Sequence, residues 1–195
     1  MNANLGITIV MNRLKNYTDK YFEEMNKKLT SVDISELNQL TSLIIKTHKN
    51  GKKIIIVGNG GSASIASHLV VDFINAATIK AISFNDPSMI TCFANDYGYE
   101  NWVSKALGCY SEAGDLVILI SSSGQSKNML IGAKKAKSMN VGVVTFTGFL
   151  PDNPLRLVGD INLWVDSGEY NIVEMTHHVW LLAVVDYIIE NKSDI

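Results

Sequence analysis

His68 and Asp72 stand four residues apart in the stretch IIIVGNGGSASIASHLVVDF, residues 54–73. On a helix that spacing puts both on one face, where they can share a metal ion or form a hydrogen-bonded pair. A second group of the same types, Glu174, His177 and His178, lies in NIVEMTHHVWLLAVVDYIIE near the C-terminus. Glu174 and His178 are one helical turn apart, and His177 is at i+3 from the same glutamate. Adjacent histidines point about 100° apart on a helix, so at most one of them faces His68 directly. Such groups serve as general bases, general acids and metal ligands. The segment 179–185 is apolar all round and reads as buried, so polar residues at its start need partners or a cavity. A satisfied core or interface cluster is the alternative for them.

Two loops could hold an anion. GNGGS, residues 58–62, ends an apolar run and opens a helix-sized segment; its glycines permit positive φ, and a helix N-terminus presents free N–H groups. Gly58, Gly60 and Ala63 also satisfy the loose dinucleotide fingerprint G-x-G-x-x-A, with Asn85 and Asp86 after the next strand to supply an acid. The second loop, SSSGQS, places Ser121, Ser122, Ser123 and Ser126 around Gly124 at another strand-to-helix turn. Four hydroxyls with backbone N–H groups suit a phosphate monoester, although an ordinary capped turn uses the same residues. Two such loops at neighbouring strand ends favour phosphate, and a dinucleotide site needs no second cradle.

The elements that position these residues follow from periodicity. Apolar positions at threes and fours predict a helix from Asn12, with Leu14, Tyr17, Tyr21 and Met25 as its stripe. A second helix follows, capped by Ser31 or Asp33 and stopped by Gly51. The pair reads as packing or oligomer surface. Five continuous apolar runs, KKIIIVG, KAISF, DLVILIS, VGVVTFTG and INLWVD, predict strands buried on both faces. Helical segments fall at 62–74, 87–97, 100–109, 127–139 and 171–190, and Ile65, Leu69 and Phe73 form the core stripe of the first. The fold class expected is α/β, a doubly wound, mostly parallel five-stranded sheet with helices on both faces. Residues 1–50 form an N-terminal helical pair and 51–195 the ligand-binding domain. Ligands of such sheets sit beyond the carboxyl ends of the strands.

With 195 residues, 47% of them hydrophobic and a formal charge of −2, the chain has a core but no basic footprint for nucleic acid. Cys92 and Cys109 lack C-x-x-C spacing and read as small buried hydrophobes of a reduced protein. The run LGITIVM has neither a preceding basic residue nor a cleavage site, and no stretch reaches about 18 apolar residues. These features predict a soluble cytoplasmic protein with no membrane or nucleic-acid partner.

GNGGS, NDYGYEN and SSSGQSKNMLIGAKKAKSMNVGVVTFTG, in this order and spacing, resemble the sugar isomerase (SIS) domain, and within it the phosphoheptose (sedoheptulose 7-phosphate) isomerases. The resemblance runs from about residue 51 to 190, with the preceding helical pair also similar. It implies sugar-phosphate contacts from Asn59, Gly60, Gly61, Asn95 and Asp96. It also implies a phosphate held by Ser121, Ser122, Ser123 and Ser126, with Ser62 nearby. His68 and Asp72 match a zinc-binding histidine and glutamate of the family. The far helix departs: a family glutamine falls on Val173 or Glu174, and a second histidine on Leu181 or Leu182. Zinc on His68, Asp72, Glu174 and His178 is the expected metal site. A homotetramer, with the N-terminal helices packed together, is the expected assembly.

His68 and Asp72 lie about 10 and 16 Å along the helix from Gly61, of the order of an extended seven-carbon sugar phosphate. The resemblance thus implies an aldose–ketose isomerase converting sedoheptulose 7-phosphate to D-glycero-D-manno-heptose 7-phosphate, for heptose and lipopolysaccharide precursors. Asp72 or Glu174 would be the base, and His178 or, second to it, His177 the acid or further metal ligand. The other expectation is a non-catalytic SIS protein binding a sugar phosphate or a protein partner, similar to the DnaA initiator-associating protein. The missing second histidine favours it, and Glu174, His177 and His178 oppose it. A nicotinamide oxidoreductase rests on the glycine fingerprint alone.

Overall fold

The computed structural model describes residues 2–192, with side chains from residue 12 onward. Helices α1 (Asn2–Leu29) and α2 (Ile34–Lys49) come first. The Asp33 carboxylate accepts from the Ser35 N–H and caps α2, and Gly51 at φ +74° turns the chain out of it. The α1 backbone begins well before the expected Asn12 and takes in the run 5–11, whose side chains lie outside the described residues.

Strands and helices then alternate: β1 (Ile54–Gly58), α3 (Gly61–Asn75), β2 (Ala81–Ser83), α4 (Pro87–Tyr97), a 3-10 turn (Tyr99–Asn101), α5 (Trp102–Tyr110), β3 (Leu116–Ser121), α6 (Lys127–Ser138), β4 (Gly142–Thr147), β5 (Ile161–Trp164) and α7 (Tyr170–Glu190). The sheet order is β2-β1-β3-β4-β5, and each pairing is parallel. The doubly wound α/β sheet expected from the sequence is therefore present, parallel throughout rather than mostly so.

Alternate strand residues point to two cores. Ile54, Ile56, Ile118, Ile120, Val144 and Phe146 join α2, α3 and α7 on one face. Ile55, Val57, Val117, Leu119 and Val143 join α5 and α6 on the other. Full burial holds for the interior strands β1 and β3. It fails at the edges: β2 and β5 keep half-buried residues, because a strand with one neighbour is covered less completely. Cys92 and Cys109, expected inside, are both exposed; α4 buries none of its residues, and Cys109 lies on the outer side of α5.

The stripe on α1 divides. Met25 lies 3.9 Å from the Thr176 hydroxyl, and the Leu29 carbonyl accepts from Trp180 Nε1 at 2.9 Å, tying one end of α1 to α7. Leu14, Tyr17 and Phe22 stay more than 60% exposed. Helix α7 is long and apolar enough to cross a membrane, against the expectation that no stretch would be. It lies instead along the core, burying Ile172, Val173, Trp180, Leu181, Val184, Val185 and Ile188.

Helix α6, which follows the serine loop, is seated by close approach to α5. A Cβ at Gly132 would lie 2.5 Å from Val103 Cγ1. Gly132→Leu should destabilise the fold by about 1–3 kcal/mol through overpacking, and thermal unfolding would show a midpoint several degrees lower. An unchanged midpoint would mean that the two helices separate freely.

Candidate active site

Strands β1 and β3 are neighbours, with Gly58 opposite Ile120, yet α3 leaves β1 on one face and α6 leaves β3 on the other. Their carboxyl ends form a topological switch point, and the glycine and serine loops lie side by side there. Between them is a cavity of about 100 Å³ lined by Asn59, Ser62, Ile120, Ser121, Ser122, Ser123, Ser126, Tyr170 and Glu174.

The glycine loop is held by amides. Asn59 and Asn128 bond reciprocally, Nδ2 of each donating to Oδ1 of the other at 3.1 and 2.9 Å, and the Tyr99 hydroxyl donates to Asn59 Oδ1 at 3.1 Å. Asn85 Nδ2 donates to the Gly58 carbonyl at 2.9 Å. Gly60, at φ +54°, occupies the N-cap of α3 without a side-chain cap. A Cβ at Gly61 would collide with the Glu174 carboxylate, so the far helix rests directly on this turn.

The serine loop does not spend its hydroxyls on capping. Ser126 is at the N-cap of α6 but makes no cap bond, and its Oγ instead accepts from Ser121 at 3.3 Å. Ser122 Oγ is buried with no partner, while Ser123 Oγ accepts from the Gln125 N–H at 3.3 Å. An ordinary capped turn would have used them, so the loop is arranged to receive an outside acceptor. From below, Asn153 lies against Gly124 and donates to Thr147 Oγ1 and to the carbonyls of Gly148 and Leu150.

Asn95 and Asp96 do not line the cavity. They are exposed on α4 and bond to each other at 2.9 Å. From that segment it is Tyr99 that reaches the glycine loop.

Beyond the cavity the two histidine groups meet. His178 Nε2 lies 2.9 Å from His68 Nδ1, and His68 Nε2 lies 3.3 Å from Asp72 Oδ2. The row Asp72–His68–His178 is continuous. Burial, then the neighbouring His68, lowers the His178 pKa, against an opposing pull from Asp72. Burial raises the pKa of Glu174, whose carboxylate lies against the Ser62 hydroxyl and N–H, both of which favour its ionised form.

The sequence profile of the SIS domain matches residues 20–148. The chain is 32% identical over 179 residues to a probable phosphoheptose isomerase of Thermoplasma acidophilum, covering 89% of this chain and 97% of that one. The chain belongs to the SIS domain family, in its phosphoheptose isomerase branch. The chain is also 33% identical over 172 residues to the phosphoheptose isomerase of Helicobacter pylori, covering 85% of this chain and 88% of that one. The phosphoheptose isomerase of Neisseria gonorrhoeae has the same fold, with TM-score 0.83, 24% identity and coverage of 92% of this chain and 99% of that one.

The donor set expected for zinc in this chain is split. His68 turns its two ring nitrogens to different partners, and Glu174 turns to Ser62. Among the described residues no three His, Cys, Asp or Glu side chains form a group that could hold a metal ion. As arranged, these residues do not fit the ion. At the expected glutamine position Val173 is buried and Glu174 faces the loop; at the histidine position Leu181 is buried and Leu182 half-buried. His178, an earlier turn of α7, is the imidazole of that helix that meets His68.

His177 has another task. It is fully buried, its Nε2 lies 2.9 Å from the Thr147 carbonyl, and its Nδ1 has no partner. Asn128, Tyr99, Asn153 and Tyr170 support or line the site without having been indicated by sequence pattern, and Asn85, noted only for a dinucleotide reading, holds the Gly58 carbonyl. For Asn128, the signal available was a polar residue at the start of α6 that proves 2% exposed.

Burial lowers the His177 pKa to about 4 from the ordinary 6.5. The unfolded chain therefore binds a proton that the native one does not as pH falls from 6.5 towards 4, and stability declines across that window. The loss should be on the order of 3 kcal/mol. Denaturant unfolding at pH 7 and pH 4.5 measures it, and His177→Gln should flatten the slope.

Proposed function

We propose that the protein is an aldose–ketose isomerase that interconverts sedoheptulose 7-phosphate and D-glycero-D-manno-heptose 7-phosphate. The observation that carries this is the serine loop, whose hydroxyls are left free of capping beside a second helix N-terminus, with Asp72–His68–His178 further along α3. The phosphate would accept from the serine hydroxyls and the N–H groups at the start of α6. The sugar chain would run along α3 towards His68. Its relatives named as phosphoheptose isomerases support the same substrate.

Isomerisation moves a proton between adjacent carbons through an enediol, and needs a base over carbon and an acid at the neighbouring oxygen. Asp72 is the base, a carboxylate positioned by His68, whose Nε2 lies 3.3 Å from Asp72 Oδ2. His178, kept neutral near pH 7 by burial and by His68, carries the proton between the two oxygens. Glu174, the other carboxylate considered for the base, is engaged at Ser62. No step is routed through zinc. The missing family histidine favours a non-catalytic, sugar-phosphate-binding regulator, but His178 in contact with His68 fills that chemical place.

We place the reaction in the cytoplasm, in the supply of heptose precursors for lipopolysaccharide. The assembly we propose is a homotetramer; the exposed Leu14, Tyr17 and Phe22 support association through α1.

Purified protein should interconvert the two heptose phosphates, followed by chromatography of the sugar phosphates, and absence of turnover on both would refute the assignment. His178→Ala should lower kcat by about 100-fold or more, the scale of a lost acid–base group, with KM changed little. Metal analysis checks the split donor set: well under one equivalent of zinc per chain is expected. A full equivalent would show that His68 turns away from Asp72.

A further inference from the structure

The cavity that would hold the phosphate contains an acid and no base. Of its nine lining residues, Glu174 alone carries a formal charge, and that charge is negative. Its carboxylate covers Gly61 and lies against the hydroxyl and N–H of Ser62, the groups that the first turn of α3 offers to an anion. The cavity is thus served by two helix N-termini: α6 has serine hydroxyls that do not cap it, with Ser122 Oγ unpartnered, and α3 is already occupied by an anion of the chain itself.

We propose that Glu174 is a resident competitor for phosphate and so determines specificity: it reserves the start of α3 and weakens binding of phosphate that arrives without the correct sugar. This rests on the phosphosugar reading above. A phosphate on the serine loop must either lie beside the carboxylate or displace it from Ser62, and both cost free energy. Inorganic phosphate and short phosphoesters have nothing to offset that cost. A long sugar phosphate does, because its hydroxyls reach the His68–His178 end of α3. The carboxylate thereby shifts discrimination from the phosphate, common to many metabolites, to the sugar.

Equilibrium binding of inorganic phosphate to the full-length protein, measured by calorimetry at pH 8, tests this independently of any effect of Glu174 on turnover. Glu174→Gln removes the charge and keeps the shape, and should bind phosphate about tenfold more tightly, as expected for relief of one nearby like charge. Glu174→Asp keeps the charge and should stay within about threefold of the wild type. If Glu174→Gln is poorly folded by its thermal midpoint, Glu174→Ala replaces it with the same expectation. Phosphate affinity unchanged or weakened in the neutral variant overturns the proposal and leaves the isomerase assignment standing. An equal gain in Glu174→Gln and Glu174→Asp also overturns it, since charge would not be the cause. No phosphate binding by wild type or variants, together with no turnover, overturns both.

Discussion

Strands β1 and β3 run side by side, and the chain leaves them towards opposite faces of the sheet. Two helix N-termini are thereby brought to one gap, and neither could be moved without changing the register in which Gly58 meets Ile120. The two apolar clusters hold that register from both sides: Ile54, Ile56 and Ile120 lock into α2, α3 and α7, and Val57 and Leu119 into α5 and α6. Because the strands are parallel and covered on both faces, their loop ends are among the few places where polar groups remain uncommitted. The site occupies that exception.

Helix α7 completes it from one side. One side of it is buried in the core and the opposite side is exposed at Met175, Val179 and Tyr187, with a half-buried strip between them beside α3. Glu174 and His178, one turn apart, fall on that strip, and His177 falls on the buried side against Thr147. The same phase explains why Leu181 cannot stand in for a ligand: it faces the core.

Much of this was legible in the sequence. Unbroken apolar runs such as DLVILIS marked interior strands, and loops of glycine and serine between strand and helix marked where an anion would sit. The i, i+4 spacing of His68 and Asp72 placed them on one face, and their contact follows. The choice between His177 and His178 was not legible, because it depends on the rotation of α7 about its axis, which packing on α1 through Trp180 helps to fix. Asn128 and Asn153 were invisible for a related reason. Each reads locally as an ordinary helix-start or turn residue and acquires its role only through a segment that the fold brings near. The exposed Asn95 and Asp96 show the converse: a motif matched by resemblance need not touch the cavity within one chain.

The reciprocal amide pair between Asn59 and Asn128 joins residues 69 positions apart. Helix α3 can form from local sequence, and Asn85 and Tyr99 follow soon after its loop, but the reciprocal amide partner is missing until β3 has paired and α6 has been laid down on α5. During synthesis the glycine loop therefore leaves the ribosome well before that amide partner. The anion pocket is then a late product of folding, and a partly folded chain would present hydrophobic strands long before it could hold a ligand.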